Sequence, residues 1–343
     1  MIPSHDNITP GAEMGRVAVI GSGSWATAQA KLLLSTCPEI GWYVHRDDRI
    51  EEFRRAGHNP VYLSDVSFDT ARIRFTSDIN EAVDNADTLV VAVPSPYLLG
   101  TFEHMSVDVS GKNVVSAVKG IVSESNMIVT DWFASRFGCK KENLLVIGGP
   151  CHAEEVALER LSYLTIGCRD IEKAEAYASL ISGKKMKTIL STDVNGIEYA
   201  AVLKNVYAIA GGIISGMKAG DNFMAMMTSN AIREMRRFVD AVSPHEGRDI
   251  CRSAYLGDLL VTAYSRFSRN HNFGAMIGKG YSVKAAKMEM EQIAEGYYGT
   301  ACIHDINAGG PQVDMPILDC VYSILYQKRN PRRAFDAVAG SFS

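Results

Sequence analysis

The chain has 343 residues and a net charge of −4; 47% of it is hydrophobic, 22% is charged, and it holds seven cysteines. That length is long for one core and predicts two domains. The acidic balance argues against a nucleic-acid groove, and seven cysteines with no C-x-x-C pair fit reduced cytosolic thiols better than disulfides or zinc.

Residues 1–14 are polar, carry Pro3 and Pro10, and resemble neither a signal peptide nor a membrane anchor. They are read as an N-terminal extension. Residues 15–30, GRVAVIGSGSWATAQA, organise the rest of the chain. Val17 to Ile20 predict a buried strand, Gly21-Ser22-Gly23 a tight turn, and residues 26–34 a helix. Strand, glycine turn and helix in that order make a phosphate cradle, because glycine admits the pyrophosphate and the first helical N–H groups face its charge. Ala26 stands at the third glycine position, where only a small side chain is needed. Dinucleotide binding at this glycine turn is the expectation.

Residues 41–44 predict a second strand, ending at His45-Arg46-Asp47. An acid at that end would bind the adenosine ribose, whereas a cation would accommodate a 2′-phosphate. His45 and Arg46 occupy the place and Asp47 comes one step late, so both NAD and NADP stay open.

Residues 50–80 predict a helix, an irregular link and a short strand around Ile73-Arg74-Phe75. A short helix is expected over 82–86. Apolar strands are expected over 87–93, 113–118, 144–147, 161–167 and 186–190, giving a mostly parallel, doubly wound sheet. From about Asn195 strand-like runs vanish and helical spacing takes over, with Ile197, Ala201, Lys204 and Ala208 on one face. Residues 200–217 come nearest to a bilayer span, but Lys204 and Asn205 interrupt them, which predicts the central helix of a soluble domain. The tail from Phe335 to Ser343 is small and polar and is expected to fray.

Four polar segments are not explained by packing. Lys119 stands just past a strand end. Lys204 lies among Ala200, Ala201, Leu203, Val206, Ala208 and Ile209, which leave it little access to water. A buried ammonium must pair or shed its proton, and a second cation would drive it towards a neutral base. Asp258 opens the apolar run 259–264 and is either an N-cap or a site carboxylate. Ser268-Arg269-Asn270-His271 is a polar cluster ahead of a glycine-bearing stretch. The dispersed His and Cys make no metal-ligand set.

In order, the motifs GSGSWATA, VVAVPS, SAVKG, IGGPCHAEEV, AAVLKNVYAIAGG, YLGDLLVT, SRNHNFG and QIAEGYYGT run from about residue 15 to about 326. In that series the chain resembles the NAD(P)-dependent glycerol-3-phosphate dehydrogenases of bacterial type. The resemblance implies that Lys204 is the acid or base at the C2 oxygen of the substrate. It implies that Lys119 binds substrate beside it and also touches the cofactor, with Asp258 holding the lysines and the substrate hydroxyls. Ser268, Arg269 and Asn270 would take the phosphate, with Arg269 also near the cofactor. Gly149, Cys151 and Asn205 would line the substrate. Ser24, Trp25, His45, Arg46, Ala153 and Glu295 would contact the dinucleotide, together with Gly21 and Gly23. Relatives usually carry Thr or Ser where Cys151 stands, often a lysine at Glu154, and often a basic residue at Met224, leaving Asn222 as the contact implied there. Cys151 next to His152 suggests a nucleophile pair, but neighbours in sequence rarely face each other and no oxyanion donors accompany them.

The expected architecture is a Rossmann-type α/β domain over 15–193 followed by an all-α substrate-binding domain over 194–343. The expected protein is a cytoplasmic homodimer using NAD or NADP on a small phosphorylated substrate, with no nucleic-acid partner and no stable membrane insertion. The expected reaction interconverts glycerol 3-phosphate and dihydroxyacetone phosphate and supplies glycerol 3-phosphate for phospholipid synthesis. Two other readings stay open: a related dehydrogenase of another phosphorylated or carboxylated alcohol, separable by a substrate panel, and a non-catalytic dinucleotide sensor. The sensor would bind NADH without ever oxidising it, and the joint presence of Lys119, Lys204, Asp258 and Arg269 speaks against it.

Overall fold

Alternation along β1 (Val17–Ile20) shows how the N-terminal part is layered. Val17 and Val19 enter one apolar cluster while Ala18 and Ile20 enter another on the opposite face. A strand buried on both sides belongs inside a doubly covered parallel sheet. The computed structural model describes residues 12–265, 267–290, 292 and 294–342. The other strands are β2 (Ile40–Tyr43), β3 (Ile73–Thr76), β4 (Thr88–Val91), β5 (Asn113–Ser116), β6 (Ile121–Val122), β7 (Met127–Ile128), β8 (Leu144–Gly148), β9 (Ser162–Cys168) and β10 (Met186–Ser191).

Eight of them form one sheet in the order β10-β9-β8-β5-β4-β1-β2-β3, while β6 and β7 pair as a small separate hairpin. Every neighbouring pair in the large sheet is parallel except β8 and β9, which run antiparallel. The chain leaves β1 for β2 on one side and later returns to β4 on the other, which opens a crevice at the carboxyl ends of the strands. The 3-10 turn Ala12–Met14 lies at the opposite end, where the Thr88 hydroxyl donates to the Met14 carbonyl. Residues 1–11 of the expected extension lie outside the described residues.

The helical part is built around Val194–Gly216. Sequence spacing suggested one apolar face, but nearly every residue of this helix is buried. A helix apolar all round sits inside a core, and its remaining neighbours enclose it. It is also long and apolar enough to cross a membrane by length and composition, a correction to the reading that no run qualifies; 94% of its most apolar window is buried in the protein.

Helix Arg269–Gly278 crosses it at backbone contact. A Cβ on Gly212 would stand 2.0 Å from the His271 carbonyl oxygen, and one on Gly274 would stand 2.2 Å from that of Ile209. Gly216 and Gly278 repeat the contact one turn on, with Cβ approaches of 2.3 Å each. Interior glycine costs a helix about 0.5–1 kcal/mol relative to alanine, so these positions reflect close approach.

The tail departs from expectation. Helix Pro331–Ala339 closes the chain, Phe335 is buried in the core, and the Phe342 ring stacks 5.8 Å from that of Phe223. Two aromatic anchors outweigh the small polar residues around them.

Candidate active site

The glycine turn is held from three sides. Gly21 has φ +120° and passes so close to β4 that a Cβ would lie 2.7 Å from the Ala92 carbonyl oxygen. The Trp42 indole donates to the Gly21 carbonyl at 2.7 Å. The buried Asn59 amide donates to the Ser22 carbonyl at 3.0 Å and to the Thr27 hydroxyl at 2.8 Å. Helix Ser24–Leu33 then starts at Gly23, and among the described residues it has no side-chain cap and the buried Trp25 indole N–H has no hydrogen-bond partner. Uncapped N–H groups, a bare Gly23 and an orphan indole donor at one cleft wall fit a dinucleotide pyrophosphate.

His45 and Arg46 come after β2 and are exposed. Arg46 forks onto Asp48, and Asp47 accepts a hydrogen bond from the Ser77 hydroxyl at 2.5 Å. The acid that comes one step late is therefore turned towards β3.

The opposite wall carries the titratable cluster. The central helix presents Lys204, 3% exposed, to Asp258, 1% exposed, and the ammonium donates to Oδ1 of that carboxylate. The other carboxylate oxygen accepts the Gly149 N–H at 3.2 Å, from the end of β8. The Thr262 hydroxyl stands 3.4 Å from Oδ1 and donates to the Asp258 carbonyl at 2.6 Å. Asp258 does not cap its own helix; it continues a π-helical turn, Ser253–Gly257, into helix Asp258–Tyr264.

Lys119 lies beyond the end of β5, its Nζ 5.1 Å from the centre of the Trp25 ring, and its carbonyl accepts the Asn205 amide at 3.0 Å. Burial pushes the Lys204 ammonium down to about 8; Asp258 pulls against that and the Lys119 charge adds to it. A lysine so tuned can exchange a proton near neutral pH.

Ser268 caps helix Arg269–Gly278, its hydroxyl accepting the His271 N–H at 3.2 Å. Arg269 and Asn270 thus occupy the first helical positions, where backbone donors and a guanidinium suit a dianion. The Asn270 side-chain amide oxygen accepts the Gly296 N–H at 2.9 Å, joining this helix to the one that starts at Glu295. The Glu295 carboxylate accepts the Ser95 hydroxyl at 3.1 Å, which ties it back to the loop after β4.

One cleft unites Gly23, Ser24, Trp25, Lys119, Cys151, Ala153, Lys204, Asn205, Ser268, Arg269, Asn270 and Glu295. Gly21 underlies the turn, while Gly149 and Asp258 lie behind Lys204 and hold it. His45 and Arg46 stand apart from the cleft wall, and Asn222 is exposed on helix Asp221–Val242, away from it. Burial raises the Cys151 thiol to about 12 and, with Lys119 and Lys204, lowers His152 to about 4, so the two are uncharged and make no nucleophile pair. Sequence reading missed Thr262, Ser95 and Asn59. The Asn59-Pro60 dipeptide was the available signal for the last, since its side chain also accepts the Val61 and Tyr62 N–H groups at 3.0 Å each.

Two family models match the chain. The NAD-dependent glycerol-3-phosphate dehydrogenase N-terminus covers residues 16–174, and the C-terminus of the same family covers residues 193–336. A glycerol-3-phosphate dehydrogenase [NAD(P)+] of Salinibacter ruber is 32% identical over 322 residues, 93% of each chain. One of Lysinibacillus sphaericus is 32% identical over 329 residues, covering 95% of this chain and 96% of its own. The solved glycerol-3-phosphate dehydrogenase of Coxiella burnetii shares the fold with a TM-score of 0.86, at 24% identity over 95% of this chain and 99% of that one.

Proposed function

The chain belongs to the NAD-dependent glycerol-3-phosphate dehydrogenase family, and on that premise we propose how its residues divide the work. It is an NAD(P)-dependent oxidoreductase that interconverts glycerol 3-phosphate and dihydroxyacetone phosphate. The nicotinamide, when bound, supplies or accepts the hydride exchanged with C2 of the substrate.

Lys204 is the proton carrier at the C2 oxygen. As ammonium it protonates that oxygen during reduction; as amine it removes the hydroxyl proton during oxidation. Lys119 faces the same oxygen as a second cation and keeps the proton affinity of Lys204 low. Asp258, buried behind Lys204, orients it. Ser268, Arg269 and Asn270 hold the phosphate, with Arg269 also near the cofactor. Gly149, through its N–H bond to Asp258, supports this wall, while Cys151 and Asn205 line it. Cys151 fills its place by packing, since a neutral thiol is a weak donor. Gly21, Gly23, Ser24, Trp25, Ala153, Lys119 and Arg269 would hold the dinucleotide, Glu295 would reach a ribose, and His45 and Arg46 would serve the adenosine end.

The buried Lys204–Asp258 pair at the cleft wall carries this reading. Unpaired, either charge would cost several kcal/mol to bury, so the pair serves a purpose that packing alone does not supply. The wider setting is that of a cytoplasmic homodimer that acts on a small phosphorylated substrate, inserts in no membrane, binds no nucleic acid, and feeds phospholipid synthesis. Closed two-fold dimers are the commonest assembly. Oxidation of NADH and NADPH with dihydroxyacetone phosphate, measured side by side, is the direct test. Turnover with at least one is expected, and turnover with neither would sink the reading.

A further inference from the structure

We propose that Tyr255 is a positioning residue for the reaction: its hydroxyl, bonded to Asp193, fixes the π-helical turn that delivers Asp258 to Lys204. The proposal rests on Lys204 as the proton carrier and adds a device that sets its partner.

The geometry centres on one carboxylate. Asp193 caps the central helix, accepting the Gly196 N–H at 3.1 Å, so it is fixed to the helix that bears Lys204. The same carboxylate takes a fork from Arg248, at 2.6 Å to Oδ2 and 2.9 Å to Oδ1, and accepts the Tyr255 hydroxyl on Oδ2. Asp193 and Tyr255 are both about 95% buried, being 5% and 4% exposed. Burial works against ionisation of Asp193, yet the bonds from Arg248 and Tyr255 hold its pKa below the ordinary value. Asp193 is therefore a fixed anion near neutral pH, and burial beside it keeps the Tyr255 hydroxyl protonated and donating.

Tyr255 lies within the turn Ser253–Gly257, and Asp258 comes directly after it. A π-turn inserts an extra residue into helical geometry and re-aims the side chains after it; such turns recur at functional sites. Its other tether is the Ser253 hydroxyl, 2.9 Å from that of Thr165 on β9. The turn is thus pinned to the helix bearing Lys204 by Tyr255 and to the large sheet by Ser253. The charged groups facing Lys204 are Asp258 and Lys119, with His152 and Cys151 nearby but neutral. Among the described residues Asp258 is the group that raises the proton affinity of Lys204, so a slackened turn lets that affinity fall.

The test is the Tyr255→Phe variant, with pH–rate profiles for both reaction directions. Phe keeps the ring in the core and removes only the donor. Expected are a kcat reduced roughly tenfold, a Lys204 limb displaced to lower pH, and a KM for NADH unchanged within about twofold. Ser253→Ala, which cuts the sheet tether, should move the limb in the same direction and decides the matter if Tyr255→Phe does not fold. A limb that stays in place in the folded variant, with or without a loss of stability, overturns the proposal. Lys204→Ala separates the two layers. If it keeps near-normal turnover, the proton-carrier reading fails and takes this proposal with it. If it abolishes turnover while Tyr255→Phe is unaffected, only the positioning role fails.

Discussion

The side-chain amide of Asn205 donates to the backbone carbonyl of Lys119 at 3.0 Å, although 86 residues separate them. Consecutive positions of one helix thus provide the proton carrier and the tether for the second lysine. The bond joins the central helix to the loop after β5, so it also joins the two halves of the cleft. Asn205→Ala should leave Lys204 and Asp258 in place and free Lys119. We expect the KM for dihydroxyacetone phosphate to rise about tenfold, matching a lost hydrogen bond to a charged subsite, with a smaller change in kcat. Steady-state kinetics at saturating NADH checks this, and an unchanged KM refutes it.

The state of Lys204 gives the pH dependence its sign. With its pKa at about 8, the ammonium dominates below that pH and the amine above it. Reduction needs the ammonium, so its kcat/KM should fall as pH rises through about 8. Oxidation needs the amine and should rise over the same interval. Lys119→Met removes a neighbouring positive charge and should displace both limbs to higher pH. Coincident limbs in wild type and variant would contradict the assignment.

Arg46 is already engaged by Asp48, as an exposed pair whose contribution to stability is small. A 2′-phosphate can therefore compete for the guanidinium at little cost. Arg46→Ala should lower kcat/KM for NADPH roughly tenfold, the loss of one charge-assisted contact, and leave the NADH value within twofold. Equal losses with both cofactors would move this residue away from the 2′ position.

Stability should also depend on pH through a carboxyl outside the cleft. Burial raises Glu198 to about 7 from 4.5, with the Thr130 N–H, at 3.2 Å, and its hydroxyl pulling the other way. An acid with a raised folded-state pKa keeps its proton longer in the folded state than in the unfolded chain. The folded state is then favoured below about 4.5, and that advantage is lost as pH rises through about 7. Glu234, raised to about 7 by its own burial, acts in the same sense. Thermal melts should show Tm declining between pH 5 and 7.5, and Glu198→Gln should flatten part of that slope. An unaltered slope in the variant would refute the role of Glu198.

Much of this architecture could be read from residue order alone. Val17 to Ile20 and the glycines after them specify strand, turn and helix through local sterics, and β1 and its helix form there. Lys204 stood out because six apolar neighbours gave it no route to water. Other features depend on partners distant in the chain. Nothing local to Thr262 tells that its hydroxyl meets a carboxylate that also takes the Lys204 ammonium and the Gly149 N–H just past β8. Ser95 is unremarkable until Glu295, 200 residues away, accepts its hydroxyl. The antiparallel pairing of β8 with β9 was likewise invisible, because a fully buried strand has the same apolar run in either direction. Asp258 was ambiguous for a related reason: a cap and a site carboxylate look alike until the third dimension assigns the partner.

The four-glycine crossing of helices Val194–Gly216 and Arg269–Gly278 has a consequence for selectivity. Main chain rests on main chain, with no deformable side-chain cushion between the element bearing the amine and the one bearing the guanidinium. The span from acid–base group to anion seat is thereby a rigid gauge. A phosphorylated alcohol one carbon longer should therefore turn over poorly, with a lower kcat/KM than dihydroxyacetone phosphate in a substrate panel as the check.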